Sequence, residues 1–217
     1  GSVWLAVLYF GGHIFVSNDY SLLGQIGWIL SIGTLGGAIA IVLAHELVHK
    51  DERIENWFGG LLLSSVCYAG FKVEHIRGHH VFVATPDDGA SAKFNQSVWH
   101  FLPRALKHNF LTAWQLEADR LKRKGLKPLS VHNELIWWYA ISGLFALSFF
   151  LLWGWMGALF FLLVGFVAGS TLEVINYVEH YGLHRRLLEN GKYERITPAH
   201  SWNSNYFLTN LALFQLQ

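Results

Sequence analysis

Charge is what this sequence has least of. Asp, Glu, Lys and Arg make up 14% of its 217 residues, against about 25% in an average soluble domain, while hydrophobic residues reach 53%. A chain so poor in charge does not fit an ordinary soluble globule. Its net charge of +1 leaves no basic excess with which to hold a phosphate backbone, which excludes nucleic acid as a partner. The single cysteine, Cys67, excludes an internal disulfide framework and any metal site built from four thiolates. Cys67 itself reads as a small buried apolar residue. The apolar start has neither a charged leader nor a small-residue cleavage site, so no signal peptide is read there. With no internal repeat and no low-complexity linker, one domain over residues 1–217 is the economical reading.

In place of charge the chain has long apolar runs. Residues 3–16 are apolar apart from His13, which reads as a hydrogen-bonded intramembrane histidine. That run is short of the roughly 20 residues a full span needs. After the polar turn Ser17-Asn18-Asp19-Tyr20, Leu22 to Ala44 runs 23 residues without a charge, about 34 Å as helix. It is long enough to cross a bilayer, and a helix is expected over 21–49 with His45 and His49 at its far end. Lys50-Asp51-Glu52-Arg53 marks an aqueous boundary. The next apolar stretch, 57–71, covers only about 22 Å as helix and is expected to be interfacial or re-entrant. Residues 81–133 form the one long polar region, with Pro86-Asp87-Asp88-Gly89 as a turn signal. Its excess of Lys and Arg assigns it to the cytoplasm by the positive-inside rule.

Leu135 to Leu172 carries no charge over 38 residues. One helix of that length would be about 57 Å, twice the hydrocarbon thickness. Two helices, over 134–153 and 155–180 with a turn near Trp153-Gly154-Trp155, fit instead. The expected fold is an all-α integral membrane protein, a bundle of transmembrane helices with its functional residues on the cytoplasmic side. Carboxylates cost roughly 2.5 to 3.5 kcal/mol each at the bilayer centre. Glu173 and Glu179 are therefore expected near the membrane surface or bound to something.

Five histidines fall between His45 and His80. His45 and His49 are four apart, as are His75 and His79, and residues four apart share one face of a helix. His80 adds a third nitrogen to the second group, and His180 follows at the end of the last apolar run. Neutral imidazole is the commonest protein ligand for zinc, iron and copper. A catalytic zinc needs only three protein ligands; six histidines argue for two metals. Two irons with open positions can activate dioxygen, the chemistry an unactivated C–H bond demands. Glu179 is a ligand or the hydrogen-bond partner of one, and Glu46 and Glu74 are candidates for the same supporting role. No catalytic residue is nominated beyond the metal site. His100, His108 and His132 read as solvated, His184 is left out, and His200 has no derived role. Taken alone, His45-Glu46-Leu47-Val48-His49 also matches the zinc metalloprotease pattern, with Glu46 as general base.

His45-Glu46-Leu47-Val48-His49-Lys50, Glu74-His75-Ile76-Arg77-Gly78-His79-His80 and Asn176-Tyr177-Val178-Glu179-His180-Tyr181-Gly182-Leu183 together resemble the motifs of membrane-bound alkane monooxygenases. Val83-Ala84-Thr85-Pro86 and His200-Ser201-Trp202-Asn203-Ser204 extend the likeness over nearly the whole chain. The resemblance implies a non-haem di-iron centre in a six-helix, multi-pass protein of the bacterial inner membrane, with the active site facing the cytoplasm. It implies His45, His49, His75, His79, His80 and His180 as iron ligands and dioxygen as co-substrate. It also implies terminal hydroxylation of medium- or long-chain n-alkanes drawn from membrane lipid, with electrons from rubredoxin, its reductase and NADH upstream.

The sequence departs from that pattern at several points. Gly70-Phe71 stands where His-Phe is common, and Asp88-Gly89-Ala90 where Asp-Pro-Ala is common; both read as ordinary variation. Family members continue beyond the position of Gln217 into a further histidine cluster and begin with helices before residue 1. The resemblance therefore reads the chain as a fragment that is inactive alone. A related di-iron hydroxylase or desaturase acting on fatty acyl or aromatic methyl groups remains open, as does a non-catalytic metal scaffold. The membrane zinc metalloprotease is the remotest alternative, because it leaves residues 74–80 and 179–180 unexplained.

Overall fold

The computed structural model describes residues 1–202. Helix α1 (Ser2–Ser17) has apolar residues all round, and Ser17 Oγ lies 3.3 Å from His13 Nδ1. Ser21 then caps α2 (Leu22–Val48), its Oγ accepting from Gly24 N at 3.3 Å. Within α2 the turns over Gly36–Ile41 are π-helical, an insertion that hydropathy does not signal. Gly33 and Gly37 lie where an added Cβ would collide with Val167 and Thr171, so α2 approaches the last helix at backbone distance. Trp28 Nε1 donates to Gly11 O at 2.9 Å and ties α1 to α2.

Helix α3 (Arg53–Ser64) starts four residues earlier than the apolar run and stops inside it. It starts at the charged boundary because Asn56 Nδ2 caps the preceding helix at Val48 O, 2.8 Å away. It stops because Cys67 takes φ +55°, a left-handed backbone that no helix continues through. Ser64 Oγ donates to Trp138 O at 3.0 Å, and Trp4 Nε1 to Ser65 Oγ at 2.8 Å, so the turn after α3 is pinned from two sides. Residues 71–82 form α4, whose middle turn, His75–His79, is again π-helical.

The polar region is not a loop. It contains α5 (Val98–Arg123), capped by Ser97 and closed by basic residues in its last turn. Phe101, Ala105, Asn109, Ala113, Glu117 and Leu121 are its buried residues, each four after the last. Two of those six are polar, which hides the stripe from a hydrophobicity reading. Glu117 is buried because Arg77 and Arg120 pair with it at 2.8 and 2.6 Å.

Helix α6 (Glu134–Glu179) is broken at Trp153 (φ −138°) and Gly154 (φ +65°). Phe145 and Phe161 would be about 24 Å apart on a continuous helix; their rings are 6.1 Å apart. The two arms therefore form an antiparallel hairpin, and Phe149, Phe160 and Phe161 make its aromatic core with Trp4 and Leu8 of α1. Among the described residues there is no β-strand, only an isolated bridge between Leu187 and Tyr193. α2 and α6 are long and apolar enough to cross a membrane, and their outward faces carry exposed Leu23, Leu144, Leu151 and Phe166. Residues 203–217, which hold the end of the His200–Ser204 signature and the terminal Leu216-Gln217, lie outside the described residues.

Candidate metal centre

The end of α2 and the middle of α4 meet in a cluster of imidazoles. At the end of α2 the four-residue spacing brings the ring of His45 within 4.8 Å of that of His49, the residue that caps the helix. On α4 the spacing from His75 to His80 is five, which in an α-helix puts side chains about 140° apart. The π-helical turn places one more residue in the turn and removes that divergence. His75 Nε2 and His80 Nε2 are 2.9 Å apart, and His49 Nε2 is 3.2 Å from the same His75 atom. The His45 ring is 4.6 Å from that of His75. One ligand atom from each of His45, His49, His75 and His80 lies within 4.8 Å of all the others.

This arrangement suits a metal ion. Imidazole nitrogens about 2.0–2.1 Å from a shared ion lie at most about 4.2 Å apart. The pairs at 2.9 and 3.2 Å already meet that limit, and no pair in the set is wider than 4.8 Å. Burial, with the neighbouring histidines adding to it, holds His75 well below the ordinary imidazole range. Burial likewise takes His80 down to about 4, with His79 and His49 contributing. Both rings are therefore neutral near pH 7, with the lone pairs a metal needs.

A second arm adjoins this cluster. His79 stacks on His75 at 5.4 Å, and its ring is 4.9 Å from that of His180 at the end of α6. His79 Nδ1 faces both oxygens of Asp88, and His180 Nδ1 faces His200 O at 3.2 Å. Burial would lower His79, but the Asp88 carboxylate more than reverses this and raises it to about 9. His180 has no such partner among the described residues, and burial takes it to about 4. The six histidines named from the sequence thus form one continuous group, divided four and two.

The carboxylates are placed differently. Glu46 pairs with Lys50, just past the end of the helix, toward solvent. Glu74 is buried with its Oε1 4.0 Å from His108 Nε2, and burial raises it to about 8. His108 is therefore half-buried beside Glu74 and not a solvated loop residue. Glu179 accepts from Ser201 Oγ at 3.0 Å. Glu173 is buried, taking a hydrogen bond from Tyr68, with Asn176 Nδ2 at 3.3 Å. His184 is exposed on the tail. His200 enters through its carbonyl, which no side-chain motif announces. Asp88 is the functional candidate that the sequence reading passes over, because Pro86-Asp87-Asp88-Gly89 reads equally well as a turn.

A family model for fatty acid desaturases matches residues 21–217. The chain is 67% identical over its whole length to "Alkane 1-monooxygenase 2" of Alcanivorax borkumensis, covering 57% of that protein. It is 61% identical over 98% of its length to "Alkane 1-monooxygenase 2" of Pseudomonas aeruginosa, again covering 57% of that protein. With "Alkane 1-monooxygenase 1" of Pseudomonas aeruginosa the identity is 56% over 99% of the chain and 56% of the relative. The chain therefore spans a little over half the length of the curated relatives it matches.

Proposed function

The chain belongs to the fatty acid desaturase family, and we propose that the protein containing it is a membrane-bound alkane 1-monooxygenase. The observation that carries this reading is the convergence of four imidazoles within 4.8 Å at the end of an apolar helix. The relatives' names supply the reaction, insertion of one oxygen atom at the terminal carbon of an n-alkane. Two iron ions, when bound, would supply dioxygen activation. His45, His49, His75 and His80 would hold one, and His79 with His180 would contribute to the other. His75 offers one nitrogen toward both His49 and His80, which makes it the hinge of the first group. Phe71 stacks on His75 at 4.5 Å and Tyr68 on Phe71 at 5.9 Å. This buried aromatic pair lines His75 on its inner side.

We read the chain as a multi-pass bundle in the bacterial inner membrane, with the centre facing the cytoplasm. The turn after α3 supports a re-entrant α3–α4 segment. Val66 packs against Gly165, eleven residues past the break at Gly154. That is about 16 Å along the helix, near the middle of a hydrocarbon core about 30 Å thick. The basic end of α5 supports the cytoplasmic assignment. Electrons come from rubredoxin, supplied by its reductase and NADH, and the substrate reaches the centre from membrane lipid.

The test is made on the full-length protein. Iron quantification and Mössbauer spectroscopy should find two irons per chain. Turnover with rubredoxin, reductase, NADH and octane should yield 1-octanol in excess of any product from a fatty acyl or aromatic methyl substrate. One zinc and no iron would replace this reading with the metalloprotease. Two irons without octane turnover would move the substrate to the acyl or aromatic class.

A further inference from the structure

We propose that Asp88 is a positioning residue for His79. Its carboxylate holds the ring's Nδ1–H and so leaves Nε2 as the nitrogen turned toward the metal position shared with His180. The proposal rests on the metal-centre reading above. Asp88 is 2% exposed. Its Oδ2 accepts from Ser91 Oγ at 2.5 Å and its Oδ1 from Ala90 N at 3.0 Å, and the two oxygens lie 3.1 and 3.2 Å from His79 Nδ1. A hydroxyl and a backbone amide already donate to this carboxylate. A hydrogen bond to the ring then requires Nδ1 to be the donor, since an ionised carboxylate has no proton to give. An imidazole committed at Nδ1 has only Nε2 left for a metal.

The carboxylate is itself held in place. Ser91 Oγ accepts from Ala84 N at 2.9 Å while donating to Asp88, and Arg104 donates to Ser91 O at 3.0 Å. Asp88 is thus keyed to the backbone just beyond α4 and to α5, which makes it a fixed stop for the ring. Among the described residues, His79 alone of the six candidate ligands has a carboxylate on its ring. The comparable atom of His180 meets a neutral carbonyl, His200 O, at 3.2 Å. The two histidines of this arm are therefore unequal donors, and His79 is the stronger.

Two measurements on the full-length protein test this. In metal-free protein labelled with ¹⁵N-histidine, a strongly hydrogen-bonded Nδ1–H signal should vanish in His79→Ala, shift in Asp88→Asn and disappear in Asp88→Leu. Titration with Fe(II) should show one iron equivalent weakened about 10-fold in Asp88→Asn and up to about 100-fold in Asp88→Leu, the other unchanged. Asp88→Asn keeps the volume and an acceptor oxygen, so it answers the question even where Asp88→Leu fails to fold. An Nδ1–H signal or an Fe(II) isotherm in Asp88→Asn identical to wild type would overturn the proposal. Wild-type protein that binds no Fe(II) would instead overturn the two-iron reading, and the metal-directed half of this proposal with it. The ring signal would still decide whether Asp88 holds His79.

Discussion

The four-histidine cluster and the His79–His180 arm use the same side chain in opposite electrostatic settings. In the cluster, rings from α2 and α4 face one another with no carboxylate paired to any of them among the described residues, and His75 and His80 are held neutral. In the arm, His79 sits against a buried carboxylate and is raised to about 9, while His180 rests on a backbone carbonyl. Burial is common to both, so the difference comes from the neighbours. A cluster of neutral imidazoles is ready for a metal but repels a proton; a histidine–carboxylate pair binds a proton that a metal must displace. One helical turn of α4 supplies residues to both settings, since His75 and His80 belong to the first and His79 to the second.

The largest effect is expected from His75→Ala, which removes the nitrogen that both His49 and His80 approach. Formation of 1-octanol should fall by more than the roughly 100-fold that loss of an outer partner produces, with iron content measured alongside. Full iron loading in that variant would end the four-ring cluster as a ligand set. His180→Ala should lower iron from two per chain to one and abolish hydroxylation, while membrane insertion stays intact. Retention of both irons would erase the four-and-two division.

A smaller and more pointed difference lies in pH. Because His79 keeps its proton up to about 9, Co(II) affinity in its position should rise up to about tenfold per unit between pH 7 and 9. His75 and His80 are already neutral there, so affinity at the cluster should stay flat over the same interval. Parallel slopes at the two positions would contradict the comparison. The smallest effect is expected from Glu46→Gln. Glu46 is paired with a partly exposed Lys50, and such pairs are worth little, so hydroxylation should change by less than about twofold. A loss of tenfold or more would return Glu46 to the site as a base.

Much of this was legible in the chain because it is local. The spacing of four between His45 and His49, and between His75 and His79, needs only helical geometry to bring each pair to one face. The hairpin follows from a run too long for one crossing and from Gly154, whose φ of +65° suits glycine. The 26-residue α5 was not legible, because Asn109 and Glu117 interrupt its buried stripe, and Glu117 is held there by Arg77, forty residues away, as well as by Arg120 on its own helix. The short α3 lies within the stretch expected to be interfacial or re-entrant, but with different bounds. Its boundaries depend on the contacts of Asn56 and Ser64 with other elements and not on its own hydropathy.

The sequence by itself determined that the chain is helical, membrane-seeking and rich in imidazole at the ends of its apolar runs, because periodicity and hydropathy are properties of neighbours in the chain. Only the tertiary structure decided how those imidazoles are divided. Setting His80 beside His75 took a π-helical turn, and setting Asp88 behind His79 and His200 O behind His180 took a fold that closes loops of nine and twenty residues. A side chain's charge state depends on what is buried next to it, and no spacing rule within one helix states that.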